Sequence, residues 1–593
     1  MGNIRVYLFL LFYLLNIHLA KSQPDTKAWF PLKVEENPSS GVIDMSHWLH
    51  TPAGKHGHLK SIEGDFVFED GTPAKFWGVN IASGRAYVEA AEARRWATYL
   101  ASYGVNAVRF HKFSSHALKG NTSTQMDSAM FARLDDFSLA LRQKGIYYGW
   151  SHIYGHKPKA GDSSRMLAYD ELAAVSLPWS HLNAASSGLV NFAPDLQALN
   201  IELTVNMLNH VNPHTGLRYA EDPALVFVEL QNEDNIFWGA IERTLEQTPT
   251  YRELLCQQFS QWLRDRYGSH EALMEAWGQQ GLLSPEAHLD RQNIYPKPNH
   301  GWFDSYYQEA QQRGEAVPQH VQDRATFLYE TQVSFYERFA EAIRDTGYQG
   351  PILASCWQAG SGFAHFLNLH ADYRTGFIDR HNYFGGGSGH RLHPGSVRSQ
   401  SMLSRPGSGL LSTGMQQVLD RPFAFSEWMS LLPNEWTAEA APIIAAYGMG
   451  LQGWDASYAY ASNAPEISPT VQATGHGVYN ADAISQMGLY PALANMIYRG
   501  DVREAPTVAL LNVQPDELKA GKLGFRQETI QDYDVKSFGG DVPSEMLAVG
   551  KLAVNFTNVE SGAVTSGQEQ YWDQAQKFVR STTGQLHWHY GEK

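Results

Sequence analysis

Two short stretches of the sequence place a glutamate at the end of a run of apolar residues. The first, residues 226–234 (VFVELQNED), runs through Glu229 to Asn232 and Glu233, and the second, residues 422–429 (PFAFSEWM), contains Glu427. Apolar runs of this kind are typical of buried parallel strands, whose carboxyl ends carry the active sites of α/β proteins. Two strands that each deliver one glutamate predict a hydrolase with a pair of catalytic carboxyl groups.

Hydrolysis of a glycosidic bond with retention needs one protonated carboxyl group and one ionised carboxylate, about 5 to 5.5 Å apart. Glu233 and Glu427 lie on different predicted strands and could flank a sugar from two sides. The alternative interpretation is that each is only a polar residue at a strand end. Glu229 has the strand parity of Glu233 but lies deeper, which favours a buried structural role for it.

The alternation of side chains along a strand predicts which companions face the same side. An arginine and a tyrosine beside the attacking carboxylate would keep it ionised, and the acid needs a drier setting. The residues expected to share a face are Arg109 with His111, then Asp379 with His381 and Tyr383, and Phe423 and Phe425 beneath Glu427.

These side chains need a scaffold that brings the ends of several strands together. Strand-like runs alternate with amphipathic helical segments over most of the chain, which predicts an α/β fold, a (β/α)8 TIM barrel. The alternative is an open doubly wound sheet, but residues 81–85 (IASGR) after the first strand lack its glycine-rich phosphate turn. The predicted strands are 75–81, 105–111, 146–152, 226–234, 351–357, 377–384, 422–428 and 451–460.

The chain divides into four predicted parts: a signal peptide (1–22), an N-terminal β extension (23–70), the catalytic barrel (71–490) and a small C-terminal β-sandwich-like module (500–593). Because the last predicted strand lies at the end of the chain, an incomplete module is one interpretation. Two long segments without helical or strand period, 153–194 and 385–421, are expected to form walls of a cleft.

The N-terminus has Arg5, an apolar run of about fifteen residues and small residues near position 22, as in a secretory signal peptide. The alternative, a membrane anchor, needs roughly twenty apolar residues. Removal of residues 1–22 changes the net charge from −15 to −17, which argues against nucleic acid as a partner. We expect a secreted protein without a membrane span, and the oligomeric state stays open.

Cys256 and Cys356 are predicted to be buried thiols, because they lie in a helix-like and a strand-like segment. The sequence contains no cofactor motif and no spacing that indicates a metal site. Aromatic residues make up 12% of the chain, with 16 Trp and 29 Tyr. Their flat faces can pack on sugar rings, although a large core uses the same residues.

The motifs resemble those of the retaining β-glycosidases of glycoside hydrolase clan A. The barrel looks most like the family 5 cellulase and mannanase group, with a family 42-like segment at residues 259–278 (FSQWLRDRYGSHEALMEAWG). Asp234 stands where the commonest family 5 pattern has proline. The motifs that carry the resemblance are Asn232-Glu233, Glu427, Arg109, His152, His381-x-Tyr383 and the aromatic Trp454.

The resemblance implies a role for each of these residues. Glu233 would be the acid/base, Glu427 the nucleophile, and Asn232 the partner of the sugar 2-hydroxyl. The substrate would be a β-linked oligo- or polysaccharide. A non-catalytic carbohydrate-binding barrel and a metal-dependent barrel hydrolase are the two alternatives. The remaining implied roles are a brace for Glu427 (Arg109 and Tyr383), lining of the −1 subsite (His152 and His381) and its stacking floor (Trp454).

Overall fold

Eight parallel strands follow one another in chain order around a single sheet, as a (β/α)8 barrel requires. In this computed structural model the described residues are 41–357, 360, 362–387, 397–469, 477–532, 534–567 and 570–591. They fall within one compact unit, Asn37–Lys593. The predicted signal peptide, 1–22, and the first part of the predicted extension, 23–40, lie outside the described residues. The sequential strand order confirms the predicted barrel and contradicts an open doubly wound sheet, whose order reverses at a switch point.

We number all strands in chain order, and the barrel consists of β3 to β8, β11 and β12. Most of these strands are buried along their whole length because helices cover the outside and side chains fill the inside. Before and within the barrel the strands are β1 Leu59–Ile62, β2 Asp65–Phe68, β3 Phe76–Ala82, β4 Ala107–His111, β5 Tyr147–Ser151, β6 Leu225–Glu229, β7 Ile352–Leu353, β8 Ile378–Phe384, β9 Gly386–Gly387, β10 Val397–Arg398, β11 Phe423–Ser430 and β12 Ala456–Ala459.

The helices of the barrel alternate with its strands, and the longest lie between β6 and β7. Gly104 and Gly145 follow two of the early helices with φ of 80° and 77°, a conformation that favours glycine. The described α-helices are α1 Ala90–Ser102, α2 Ser128–Gln143, α3 Tyr169–Ala174, α4 Pro194–Asn209, α5 Ala240–Gln247, α6 Pro249–Tyr267, α7 His270–Trp277, α8 His300–Arg313, α9 Gln319–Asp345, α10 Phe363–Thr375, α11 Ala440–Ile443, α12 Ile484–Met487, α13 Tyr490–Arg499, α14 Pro515–Lys519 and α15 Met546–Val549.

The hairpin of β1 and β2 closes the amino end of the barrel. The ring of Phe66 contacts that of Phe377, with centroids 5.1 Å apart, and its backbone N–H donates to Asp455 Oδ1 over 3.3 Å. Above it, Phe227 packs against Phe377 and Tyr458 with centroids 5.9 Å away in each case. The lower half of the barrel is therefore an aromatic core, and any binding site has to lie at the carboxyl end.

The barrel closes between β7 and β8 with the help of a glycine and of a hairpin from far along the chain. A Cβ atom on Gly376 would lie 1.8 Å from the carbonyl oxygen of Ile352, so only glycine allows this approach. At the carboxyl end β8 pairs instead with β15, through Val535 and Tyr383. The hairpin of β14 and β15 thus extends the barrel sheet beside β8.

In the described part of the C-terminal region there are two small sheets of three strands each, which agrees with the predicted β-rich character. One sheet has mixed direction and the other is antiparallel. The described part of the chain contains no helix that is both long enough and apolar enough to cross a membrane. The strands are β13 Thr507–Val513, β14 Gln527–Asp532, β15 Val535–Gly540, β16 Lys551–Phe556, β17 Gly562–Thr565, β18 Trp572–Asp573, β19 Phe578–Arg580 and β20 His587–His589.

A buried carboxyl group behind β12 makes the stability of the fold depend on pH. Asp482 accepts hydrogen bonds from Asn463 N–H and Ser462 Oγ, yet burial raises its pKa from 3.8 to about 7. The folded state binds this proton more tightly than the unfolded chain, so the stabilisation is complete below pH 4 and is lost as pH rises through about 7.

We expect Asp482→Asn, which imitates the neutral carboxyl group, to remove this dependence. The free energy of unfolding of both proteins is measured in urea between pH 4 and pH 7. The wild-type value should fall across this window because Asp482 ionises, so the difference, variant minus wild type, should increase with pH. A difference between variant and wild type that stays constant with pH would contradict the assignment.

Candidate active site

The guanidinium of Arg109 lies at the centre of the barrel mouth and is completely buried. Its Nη1 donates to Glu427 Oε1 over 2.6 Å, and its Nη2 donates to Glu229 Oε2 and Asn232 Oδ1, both over 2.8 Å. Burial alone would lower the pKa of Arg109, but the charges of Glu229 and Glu427 raise it well above its usual value. Arg109 therefore stays charged and holds the ends of β6 and β11 together.

Glu427 accepts a second strong hydrogen bond, from the hydroxyl of Tyr383 to Oε2 over 2.9 Å. His111 Nδ1 lies 3.4 Å from the other oxygen, Oε1. The carboxylate is only 5% exposed and its position is fixed from beneath by charge-assisted contacts. The structure thus places Arg109 and Tyr383 where a brace for Glu427 is expected.

Glu233 occupies the opposite side of the mouth, four residues after β6. Its φ of 46° is unusual for a residue with a side chain, and its N–H donates to the carbonyl of Ser355 over 3.1 Å. Oε1 lies 2.9 Å from His381 Nδ1, and Oε2 accepts from Tyr154 OH over 3.4 Å. A strained backbone held by such contacts is typical of a functional position.

The two glutamates face each other across His381. One carboxylate oxygen of Glu233 lies within 4.8 Å of one carboxylate oxygen of Glu427. His381 is completely buried beneath them, with Nδ1 3.8 Å from Glu427 Oε2. Burial lowers the pKa of His381 to about 3, so the ring is neutral near pH 7.

A cavity of about 400 Å³ opens above this pair. Its walls combine aromatic rings with a few charged groups, and a second hollow of about 430 Å³ shares Trp179 and Trp238 with it. The residues that line the cavity are His111, Lys112, Tyr154, Trp179, His181, Glu233, Trp238, Trp357, Tyr383, Glu427, Tyr460, Tyr479, Gln531 and Asp534.

Trp454 was expected as the stacking floor, and this prediction is wrong. It precedes β12, is 0% exposed, and packs on Phe423 and Phe425 with centroids 5.1 and 5.5 Å away. The sequence predicts one strand over 451–460, but the strand in the structure is Ala456–Ala459, so Trp454 belongs to the amino end of the barrel. The aromatic residue that lines the cavity is Tyr460, which comes directly after β12 in the sequence.

His152 was expected to line the −1 subsite, and this prediction is also wrong. Ser151 at the end of β5 points inward and accepts from Arg109, so the next side chain points away by alternation. His152 Nε2 contacts Thr204 Oγ1 on α4 over 3.0 Å, and burial lowers the pKa of the ring to about 3. In the cavity itself the imidazoles are those of His111 and His181.

Phe423 and Phe425 do not lie beneath Glu427, because β11 contains a bulge. Phe425 pairs with Arg380 but Glu427 pairs with His381, so one residue of β11, Ser426, has no partner on β8. The bulge breaks the alternation, and both phenylalanines point outward to Trp454.

Three buried side chains next to the site support it: two carboxyl groups, Glu229 and Asp234, and the thiol of Cys356. Glu229 is buried and balances Arg109, in keeping with the structural role predicted for it. Asp234 accepts the N–H of Gly188 with both oxygens over 2.9 Å and so anchors the segment that carries His181. Cys356 donates to Glu229 Oε1 over 3.3 Å, and burial together with Glu229 raises its thiol pKa, so it is a poor nucleophile. Both cysteines are free and buried, as predicted.

Sequence reasoning missed the wall of the cavity that comes from β14 and β15. Gln531 and Asp534 reach the mouth from this hairpin, which the asparagine of β8, Asn382, holds by accepting from Lys536 N–H over 2.8 Å. Of the two predicted cleft walls, 153–194 supplies Tyr154, Trp179 and His181. Among the described residues of 385–421, none lines the cavity.

Among the residues that the structure describes, two groups of three side chains have spacings that a metal ion could use. They are Glu233 with His381 and Glu427, and Cys356 with Asp379 and His381. In the first group, the guanidinium of Arg109 already lies 2.6 Å from Glu427. A fixed positive charge at that distance opposes a bound cation.

No family model and no curated protein matches the chain, but many solved structures are similar to it. They include a glycoside hydrolase family 5 mannosidase from Rhizomucor miehei, at 10% identity, with 75% of this chain and 98% of that chain covered and a TM-score of 0.43. A β-galactosidase from Rahnella sp. R3 is 14% identical, with a coverage of 75% and 60% and a TM-score of 0.49. An endo-1,4-β-mannanase from the same Rhizomucor is 12% identical, with a coverage of 74% and 100% and a TM-score of 0.40. This chain spans less than two thirds of the β-galactosidase.

Proposed function

We propose that the chain is an exported, retaining β-glycoside hydrolase that acts by double displacement. The observation that carries the proposal is the facing pair Glu233 and Glu427, whose nearest oxygens lie within 4.8 Å. Retaining enzymes hold their carboxyl groups about 5 to 5.5 Å apart, and inverting enzymes about 6.5 to 9.5 Å apart. Export rests on the predicted signal peptide, residues 1–22.

Glu427 acts as the nucleophile in this proposal. Arg109 and Tyr383 donate one hydrogen bond to each of its oxygens, which favours an ionised and immobile carboxylate. Attack on the anomeric carbon gives a glycosyl ester, and the same two donors then stabilise the carboxylate as it leaves.

Glu233 acts as the acid and then as the base. It lies at the rim, with its side chain 17% exposed, where it can reach both the leaving oxygen and an incoming water molecule. Proton transfer by such a group contributes about 10²- to 10⁴-fold to the rate. Asn232 Oδ1 accepts a hydrogen bond from Arg109, which leaves the amide nitrogen of Asn232 as the group that can donate to a sugar hydroxyl.

The substrate is an oligo- or polysaccharide in this proposal. Aromatic rings line the cavity, and two of them, Trp179 and Trp238, also line the second hollow, together with Glu242 and Asn299. Aromatic rings that line two adjacent hollows suit a chain of sugar rings better than a single one.

Hydrolysis of a panel of 4-nitrophenyl β-glycosides and of gluco-, manno- and galacto-oligosaccharides tests the function. Proton NMR of the first product should show the β-anomer, because two displacements restore the configuration. The α-anomer as first product would contradict the mechanism. Binding without cleavage would indicate a carbohydrate-binding barrel, and inactivation by a chelator would indicate a metal-dependent hydrolase.

A further inference from the structure

A chain of three buried side chains leads from Glu233 into the barrel wall. His381 Nδ1 lies 2.9 Å from Glu233 Oε1, and His381 Nε2 lies 3.0 Å from Ser426 Oγ. Ser426 Oγ lies 2.5 Å from Asp379 Oδ2, while its backbone N–H donates to Asp379 Oδ1 over 3.0 Å. His381, Ser426 and Asp379 are at most 1% exposed.

The bulge in β11 creates this chain. Asp379 and His381 share the inner face of β8 by alternation, and the extra residue in β11 turns Ser426 into the space between them. Without the bulge, Ser426 would point to the opposite face from Glu427.

When Asp379 and Glu233 hold one proton between them, the donors and acceptors of the chain leave two consistent arrangements. Because the ring of His381 is neutral, one of its nitrogens carries a proton and the other accepts one. If Asp379 is ionised, Ser426 donates a hydrogen bond to it and His381 Nε2–H donates to Ser426. The unprotonated Nδ1 then accepts a hydrogen bond from a protonated Glu233. If Asp379 is protonated, every bond reverses and Nδ1–H donates to an ionised Glu233.

We propose that Asp379 and Glu233 share one proton through Ser426 and His381, with Asp379 as the positioning residue that stores it. This proposal rests on the proposed role of Glu233 as acid and base. The transfer is balanced: Glu233 gives its proton to Nδ1, Nε2 gives its proton to Ser426 Oγ, and Ser426 gives its own to Asp379 Oδ2. Glu233 can thus be ionised or protonated without exchange with solvent.

Two opposing effects keep the proton shared. Burial raises the pKa of Asp379 to about 8, which favours the proton there, although Arg109 opposes this shift. An ionised Glu233 would face the carboxylate of Glu427 within 4.8 Å, which favours the proton on Glu233. The titratable and charged groups that face this chain of Glu233, His381, Ser426 and Asp379 are Arg109, Lys112, His111, Glu229, Glu427, Lys536, Asp534, Cys356, Tyr154, Tyr383 and Tyr458. Of these, Lys112 and Lys536 interact with Glu233 and favour its ionised form.

Asp379→Asn tests the proposal because it reverses the chain. The amide oxygen takes the place of Oδ1, so the NH₂ group donates to Ser426, Ser426 donates to His381 Nε2, and Nδ1–H then holds Glu233 ionised. We expect kcat/KM to fall about 10²- to 10⁴-fold for an alkyl β-glycoside, which needs acid help. For the dinitrophenyl β-glycoside of the same sugar, whose leaving group needs none, it should fall only a few-fold. The basic limb of the pH profile on the alkyl glycoside should also move to lower pH.

The experiment includes a second test variant, Ser426→Ala, and a control variant, Asp455→Asn. Ser426→Ala interrupts the relay without a change of charge and should show the same dependence on leaving group. Asp455 is a buried carboxyl group at the opposite end of the barrel, so Asp455→Asn should affect both substrates equally. Equal losses on both substrates in Asp379→Asn and Ser426→Ala would overturn the relay.

Nitrogen NMR of ¹⁵N-histidine protein gives a readout that needs no activity. Wild type should show both ring tautomers of His381 in exchange, and Asp379→Asn should show the Nδ1–H form alone. An unchanged His381 tautomer would overturn the relay even if no glycoside is cleaved. Absence of cleavage by wild type together with the tautomer change would instead sink the proposed function and leave the proton chain standing.

Discussion

Replacement of Glu427 by glutamine should lower kcat on an aryl β-glycoside by on the order of 10⁶-fold, as removal of a nucleophile does in a serine protease. Glutamine keeps the shape and the hydrogen bond from Arg109 Nη1, but it cannot form the glycosyl ester. The exposed Glu435→Gln, eight residues further on, serves as the matched control and should keep full activity. Initial rates with a dinitrophenyl β-glycoside measure both variants.

Azide separates the roles of the two glutamates. In Glu427→Gly, azide can enter the space of the missing carboxylate and should restore turnover with an α-glycosyl azide as product. In Glu233→Gly, azide attacks the glycosyl ester from the opposite face and should give the β-glycosyl azide. The reverse pair of products would exchange the assignments, and restoration of the natural sugar product in Glu427→Gly would contradict a covalent intermediate on Glu427.

Replacement of Arg109 by methionine should lower the free energy of unfolding by about 3 to 5 kcal/mol and abolish hydrolysis. The change leaves Glu229 and Glu427 buried, 1% and 5% exposed, without their shared counter-charge. It also releases Asn232, whose oxygen Arg109 holds over 2.8 Å. Urea unfolding at pH 7 and rates with an aryl glycoside measure the two effects.

Two companion variants distinguish charge from geometry. Arg109→Met combined with Glu229→Gln removes one uncompensated carboxylate, so it should regain part of the stability but none of the activity. Arg109→Lys keeps the positive charge but loses the forked guanidinium group, whose nitrogens donate to Glu427, Glu229 and Asn232 at the same time. It should therefore fold more stably than Arg109→Met and remain nearly inactive. Full activity of the lysine variant would show that the fork is not needed.

The strands and the two glutamates could be predicted because their signals are local. β6 and β11 each begin as an apolar run, and Glu233 and Glu427 each follow such a run. Arg109 and Tyr383 were found because alternation holds on β4 and β8. Both side chains contact Glu427 as expected.

The errors arise where the local pattern carries no information on register. Trp454 was misplaced because an apolar run does not show which of its residues enter the sheet. Phe425 was misplaced because the bulge at Ser426 depends on pairing with β8, which is more than forty residues away. The hairpin contact of Val535 with Tyr383 is more distant still in the sequence, and no periodicity predicts it.

The β14–β15 hairpin has a consequence for how the protein folds during synthesis and how it could be engineered. During synthesis the barrel strands emerge first, but the seam beside β8 stays open until the hairpin has left the ribosome. A barrel cut off after α13 would lack one wall of its cavity and would expose an unpaired strand edge, which invites aggregation. The C-terminal region is therefore not a detachable appendage, and any exchange of accessory modules has to keep residues 527–540.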